Sequence, residues 1–312
     1  MKPENTPIVS IVIVSYNTEQ MVLECLNSLL AYIRGYYAEI IVVDNNSSDG
    51  TVNMLRNYYP SILLIENNKN LGFAAANNQG LRVCRGRFIL LLNSDTVILS
   101  DVVNKSIEYL ANNQDVGAMG CRVLNSDGTV QATCFGYPTL FRLLCMTLAV
   151  DRISGLSILD KYLLRSWQRD GEREVEVITG CYLMIRREVL NQVGLLDESF
   201  FFFGEETDWC LRMRRAGWRL NFAPVGEIIH HGGGSIKKLN FQRDVMLTTA
   251  TIRLHLKNSG IIAALLAFII LILFNISRAV FWTAVSLWQK QYMNKAEYFR
   301  NVTKAYRSFW PA

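Results

Sequence analysis

The chain has no Cys-x-x-Cys pair, no internal repeat and no low-complexity tract, and acidic side chains are nearly missing from its last quarter. Its seven cysteines, Cys25, Cys84, Cys121, Cys134, Cys145, Cys181 and Cys210, are odd in number and far apart. That fits neither a disulfide framework nor a zinc knuckle, and a reducing compartment suits them. The opening residues, MKPENTPIVS, lack the charged-then-apolar pattern of a secretory signal, so the expectation is a chain that works in the cytoplasm. Charged residues make up only 19% of the 312 against 50% hydrophobic, which excludes a disordered tail, a collagen-like fibre and a disulfide miniprotein. Such a chain must fold, and its length suggests one large domain with an appendage or two modest domains.

What is present begins with short apolar runs separated by helical stretches. The runs are IVSIVIVS (8–15), EIIVVD (39–44), SILLIE (61–66) and RFILLLN (87–93). Helical character appears over 19–32, after a possible cap at Thr18, over 50–58, after a possible cap at Asp49, and over 72–83. Strands buried on both faces and separated by helices read as βαβ units of a parallel sheet, in which ligands gather at the carboxyl ends of the strands. Polar clusters stand there: Tyr16-Asn17, Asp44-Asn45-Asn46 and Asn93-Ser94-Asp95. Beyond them the spacing predicts a helix near 101–111, strands near 116–123 and 129–134, an insertion over 136–172, and regular structure again over 175–187.

Six motifs in order, SYN at 15–17, VDNNSSDGT at 43–51, NLGFAAANNQG at 70–80, NSDT at 93–96, GLLDESFFFFGEETDWCLR at 194–212 and HHGGGS at 230–235, resemble the family 2 inverting glycosyltransferases. The resemblance covers about residues 8–235 and leans toward bacterial rhamnosyltransferase-type enzymes of surface polysaccharide synthesis. It implies a GT-A fold, an α/β architecture with a Rossmann-like nucleotide-binding sheet flanked by helices. It further implies a donor that is a nucleotide-diphosphate sugar, carrying rhamnose or another hexose, and an acceptor that is lipid-linked or a glycan.

The roles carried over are specific. Ser15, Tyr16, Asn17, Asp44, Asn46, Asn70, Gly72, Asn93 and Ser94 would line the nucleotide site, with Asp44 accepting from a base N–H or a ribose hydroxyl. Asp44 could equally start a turn with its two asparagines. The family's metal-binding Asp-x-Asp stands here as Asn93-Ser94-Asp95, so the first position brings no charge. Asp95, with His230, would hold a divalent cation, Mg²⁺ or Mn²⁺, against the diphosphate, since hard oxygen ligands suit both ions. The bland alternative for Asp95 is a helix cap. Glu205-Glu206 matches the acidic pair before a helix, with Glu206 as the base that takes the acceptor proton. Two acids favoured by a helix N-terminus are the alternative there. Asp208 and Arg212 read as a pair within that helix.

Two other functions compete with this reading. A nucleotidyltransferase would want a Gly-rich, basic loop after the first strand, and SYNTEQ supplies none. A catalytically dead nucleotide-sugar-binding module is made thinkable by Asn93.

Charge separates the chain into parts. Residues 236–312 hold 11 basic and two acidic side chains, and residues 1–235 hold 21 basic and 25 acidic ones. The larger part is therefore no nucleic-acid binder, and the sequence divides into a glycosyltransferase domain, 1–240, and a basic, apolar helical segment, 241–312, suited to membrane association. Its uninterrupted apolar core, 261–274, gives about 21 Å of helix against roughly 30 Å of hydrocarbon. Extension to Trp288 places Asn275, Ser277 and Arg278 near the middle. A helical hairpin seated on the cytoplasmic face is the leading expectation, ahead of a true span and of a pair packed on its own domain or on a second copy of the chain.

Overall fold

The computed structural model describes residues 7–33, 38–149, 164, 167–232 and 241–311. These residues form two compact units. One is drawn from Met1–Phe135, Trp167–Phe201 and Glu205–Lys237, the other from Gly136–Ser166, Phe202–Gly204 and Lys238–Ala312.

In the first unit the opening apolar run becomes strand β1, Val9–Ser15, followed by helix α1, Glu19–Tyr32. Strand β2 is Ala38–Asp44, α2 Thr51–Tyr58, β3 Leu63–Glu66, α3 Phe73–Val83 and β4 Phe88–Asn93. β1 lies between β2 and β4, parallel to both. Side chains alternate across a strand, so Ile11 and Ile13 pack into the cluster of Val22, Leu26 and Leu29 from α1. Val12 points the other way, where Gly80 of α3 approaches so closely that a Cβ there would stand 2.4 Å from Val12 Cγ1. Both faces are thus covered, which is why the run carries no polar alternation. Each such buried aliphatic side chain contributes about 1.5–3 kcal/mol.

The rest of the unit is β5, Thr96–Ile98; α4, Val102–Asn112; β6, Val116–Leu124; β7, Cys134–Phe135; β8, Arg173–Glu174; β9, Val177–Ile178; β10, Tyr182–Arg186; α6, Arg187–Val193; α7, Glu205–Arg215; and β11, Arg219–His230. The main sheet runs β3-β2-β1-β4-β10-β6-β11-β5, with β8 on β11. β10 is antiparallel to β4 and β6, and β5 is antiparallel to β11, so a parallel half joins a mixed half. Two sequence expectations change. The strand over 129–134 reduces to a bridge between Leu124 and Val130 and the short β7. The run over 175–187 breaks into β9 and β10 around Gly180, then turns into α6.

The caps also differ. Thr18 does not cap α1; its hydroxyl donates to Ser94 Oγ at 3.2 Å and lies 3.0 Å from Ser15 Oγ. Asp49 serves both helices instead, its two oxygens accepting from the amides of Glu19 at 3.0 Å and Thr51 at 3.1 Å.

In the second unit, the 136–172 insertion contains helix α5, Leu140–Thr147, started by Thr139, whose hydroxyl accepts from the Arg142 amide at 3.2 Å. Of the rest of that insertion in this unit, 150–163 and 165–166 lie outside the described residues. A long helix, α8, runs from Phe241 to Trp288 and is interrupted at Gly260, where φ is 85° and ψ 176°. Glycine tolerates that left-handed φ without a Cβ penalty. Helix α9 is Met293–Lys304. Ile252 and Ala264, on either side of the break, share a core with Val302 and Phe309. By length and composition α8 is the one helix among the described residues that could cross a membrane. Ile262, Val280, Phe281, Leu287 and Trp288 are all exposed on it. Arg278 does not stand unpartnered on that helix: it donates to the carbonyls of Met146 and Thr147, each at 2.6 Å, at the end of α5.

Candidate active site

The parallel half of the sheet sets the site. Ser15 is level with Asp44, and Val14 with Asn93, so the ends of β1, β2 and β4 open side by side. Asp44 is buried; its Oδ2 accepts from the Ser47 amide at 2.9 Å, while Oδ1 has no hydrogen-bond partner among the described residues. A buried acceptor left open is costly unless something fills it, and a nucleoside N–H or hydroxyl would. Tyr16 is 37% exposed at the rim. Asn17 and Asn46 take left-handed turns, φ 52° and 69°, and Asn17 Oδ1 accepts from the Ser48 amide at 2.7 Å, lacing the loop after β1 to that after β2.

Asn70 and Gly72 shape the floor rather than offering amides. The Gly72 amide donates to Asn70 Oδ1 at 2.9 Å and the Phe73 amide to the Phe201 carbonyl at 2.9 Å, so both already have acceptors. Gly72 itself stands at φ 84°, with Phe201 O only 2.4 Å from where a Cβ would be. The hub of this loop is Asn45, which the sequence placed in a polar cluster without a role of its own. It donates to Asn70 Oδ1 at 2.9 Å and accepts from the Leu71 amide at 3.0 Å and from Asn67 at 3.2 Å. An asparagine in an Asp-Asn-Asn run looks like turn material; only the fold reveals what it ties.

Beyond β4, Ser94 and Asp95 are buried, and Thr96 begins a strand, so Asp95 is not a helix cap. β11 delivers His230 opposite Thr96. Its Nε2 lies 3.2 Å from Asp95 Oδ1 and 3.2 Å from Asn93 Nδ2, and its Nδ1 is 2.6 Å from Gln131 Oε1. Gln131 is the second residue that no sequence pattern announced. His231 faces a different partner, Ser126 Oγ, at 2.8 Å.

Glu206 reaches the same edge through β10. The Asn93 amide donates to the Cys181 carbonyl at 3.2 Å, and the Gly180 amide donates to Glu206 Oε1 at 3.0 Å. A Cβ on Gly180 would meet Phe73 Cζ at 2.8 Å, so the approach needs glycine. Burial pushes the Glu206 carboxyl up, against the opposing pull of the Gly180 amide. Cys181 sits between the acids: burial first, then the charges of Asp95 and Glu206, push its thiol up to about 12, which makes it an inert wall rather than a nucleophile. Glu205 is 2% exposed in the first turn of α7. That helix is locked by Arg212, paired with the buried Asp208 at 2.8 Å as its spacing implied and donating to the Leu195 carbonyl at 2.8 Å.

One sheet edge therefore collects an open buried carboxylate, an Asn/Asp/His group and a carboxyl of raised pKa. The family model for glycosyl transferase family 2 matches residues 10–194, more than half of the chain and every strand that builds this edge except β11. The chain belongs to glycosyl transferase family 2. Within that family it is 27% identical over 240 residues to the O-antigen biosynthesis protein RfbC of Myxococcus xanthus, covering 74% of this chain and 18% of that one. It is 25% identical over 213 residues to the N-acetylglucosaminyl-diphospho-decaprenol L-rhamnosyltransferase of Mycobacterium tuberculosis, covering 62% and 66%. The chain thus spans less than two thirds of the length of either relative. The fold is also that of the mannosyltransferase PcManGT from Pyrobaculum calidifontis, solved with GDP-Man and Mn²⁺, at a TM-score of 0.57 and 15% identity over 98% of this chain and 88% of that one.

The donors at this edge suit a divalent ion. A carboxylate oxygen and an imidazole nitrogen 3.2 Å apart match the spacing of two adjacent ligands of an octahedral ion with bonds of about 2.1 Å. No group of three or more His, Cys, Asp or Glu side chains surrounds the spot among the described residues. Mg²⁺-type ions are commonly held by one or two protein groups plus substrate phosphates, so Asp95 and His230 fit that role.

Proposed function

We propose that this family 2 chain transfers a sugar, rhamnose or another hexose, from a nucleotide-diphosphate donor to a hydroxyl of a lipid-linked or glycan acceptor, with inversion. The observation that carries the proposal is the shared edge: Asp44 Oδ1 unsatisfied at the end of β2, Asp95 beside His230 beyond β4, and Glu206 held at Gly180. The M. tuberculosis relative's name, an L-rhamnosyltransferase acting on a diphospho-decaprenol, supports the sugar and the acceptor class.

In this mechanism Asp44 accepts from the base or ribose and fixes the nucleoside, with Tyr16 at the rim. Asp95 and His230 would hold a Mg²⁺ or Mn²⁺ ion, which when bound neutralises charge on the departing diphosphate. Glu206 takes the proton of the acceptor hydroxyl as its oxygen bonds to the sugar C1; the C1–O bond to the diphosphate breaks on the opposite face, and the nucleoside diphosphate leaves with the electron pair. Burial around Glu206 suits it to this task by raising its basicity.

The residues over 1–240 carry the transfer and those over 241–312 hold the chain to the cytoplasmic leaflet. The break at Gly260, the exposed apolar side chains beyond it and the excess of basic residues support a surface-seated set of helices. The test is incubation of the full chain in detergent or liposomes with a panel of nucleotide sugars, Mn²⁺ and a polyprenyl-diphosphate-linked sugar acceptor. Release of nucleoside diphosphate together with a lengthened lipid product is expected from at least one donor. A panel that yields neither would contradict the proposal.

A further inference from the structure

The hairpin after β6 contains a chain of hydrogen bonds whose direction is fixed at its far end. Asp127 Oδ1 accepts from the Thr129 hydroxyl at 2.6 Å and from the Thr129 amide at 3.0 Å. An ionised carboxylate only accepts, so the hydroxyl proton of Thr129 is committed and its oxygen is left to accept. It does so from Asn125 Nδ2 at 2.9 Å, which turns Asn125 Oδ1 toward Gln131 Nε2, 2.8 Å away. The same Gln131 nitrogen lies 3.4 Å from the His230 carbonyl, a second acceptor. With the nitrogen of its amide thus placed, Gln131 presents Oε1, an acceptor alone, to His230 Nδ1 at 2.6 Å.

A nitrogen facing a carbonyl oxygen at that distance must carry the proton. In a neutral imidazole the other nitrogen, Nε2, then holds a lone pair. Nε2 is the atom that faces Asp95 Oδ1, and Asn93 Nδ2, a donor, is placed to meet its lone pair at 3.2 Å. In that neutral form two electron-rich atoms, one on a carboxylate, face each other across 3.2 Å in a largely buried site; only a doubly protonated ring would make the contact an ion pair. The reverse tautomer would relieve that repulsion by sending an Nε2–H to Asp95, but it would place a lone pair against Gln131 Oε1. The hairpin opposes this.

We infer that the amide relay Asp127–Thr129–Asn125–Gln131 sets the tautomer of His230, so that Nε2 stands ready as a lone-pair donor to a divalent cation shared with Asp95. The inference rests on the reading of His230 as a ligand for that ion. Gln131 is a positioning residue here: it contacts the His230 ring and acts through the ring it orients. An outer partner of this kind raises ligand basicity and fixes ring orientation, and its loss typically costs 10–100-fold in metal affinity.

The experiment uses the full chain with ¹⁵N-labelled histidine in detergent at about pH 8, where an ordinary imidazole is neutral. Long-range ¹H–¹⁵N correlation reads the tautomer directly, and the signals of His230 are identified by their loss in His230→Ala. The wild type is expected to show His230 as the Nδ1–H form. Gln131→Glu, which keeps an acceptor facing the ring, is expected to retain it, and Gln131→Leu to shift the ring toward Nε2–H. Mn²⁺ alone, titrated by electron paramagnetic resonance, should bind Gln131→Leu about 10–100-fold more weakly than Gln131→Glu. An Nε2–H ring in the wild type, or a Gln131→Leu variant with tautomer and Mn²⁺ affinity unchanged, overturns the inference. Wild-type Mn²⁺ affinity in His230→Ala overturns instead the reading of His230 as a ligand, whatever the tautomer shows.

Discussion

The Gly180 amide donates to Oε1 of Glu206 at 3.0 Å, and this single bond aims the first turn of α7 at the ends of the central strands. It also opposes, without cancelling, the effect of burial on the Glu206 carboxyl, which stays above its ordinary range. Transfer needs the ionised form, so the rate should rise with pH along an acid limb whose midpoint exceeds the usual Glu value of about 4.3. The pH profile of kcat/KM checks this; a midpoint at or below the usual value would contradict the burial argument.

Replacing Glu206 by Gln separates chemistry from stability. Turnover should fall at least about 100-fold with donor affinity kept, because the shape stays and the base goes. Stability should move the other way. A carboxyl raised in the fold contributes stability below its unfolded pKa that is lost as pH rises through its folded pKa, so at neutral pH the native glutamate opposes folding. The amide carries no such charge, can still accept from Gly180, and should raise Tm at neutral pH but not at acid pH. Glu205→Gln active and Glu206→Gln inactive is the expected pair of assays; the reverse moves the base to Glu205.

Asp44→Ala removes the open oxygen at the end of β2. Donor affinity should drop about 10–100-fold, the equivalent of one hydrogen bond to a charged group, with little change in the rate at saturating donor. Equilibrium binding of the nucleoside diphosphate measures it, and unchanged binding would remove Asp44 from the nucleotide site.

Gly72→Ala tests the floor of the site. The new Cβ would meet the Phe201 carbonyl at 2.4 Å on a backbone at φ 84°, so the fold should lose at least about 1 kcal/mol in denaturant melts. An undiminished midpoint would show that the loop yields.

The parallel core was legible in the sequence because β1, β2 and β4 are buried on both faces and so appear as unbroken apolar runs ending in polar clusters. The boundaries blur where that signal mixes with turn chemistry: β9 and β10 form one apolar run in the sequence and part only at Gly180, whose amide turns to Glu206. Helix α5 was hidden because its apolar residues make sense only beside α8, with Arg278 closing its carbonyl end. Gln131, and the role of Asn45 within its polar cluster, were hidden for another reason. A single amide has no period of its own, and its importance comes from which atoms the fold places within about 3 Å of it.

The most direct test of the shared edge is single-turnover transfer, read with donor concentration varied, for the wild type, Asp95→Ala and Glu206→Gln in the full chain. Asp95→Ala is expected to need far more donor and to lose its response to Mn²⁺, and Glu206→Gln to saturate normally with donor yet transfer at least about 100-fold more slowly. Transfer by both variants at the wild-type rate, donor dependence and metal response would contradict this expectation.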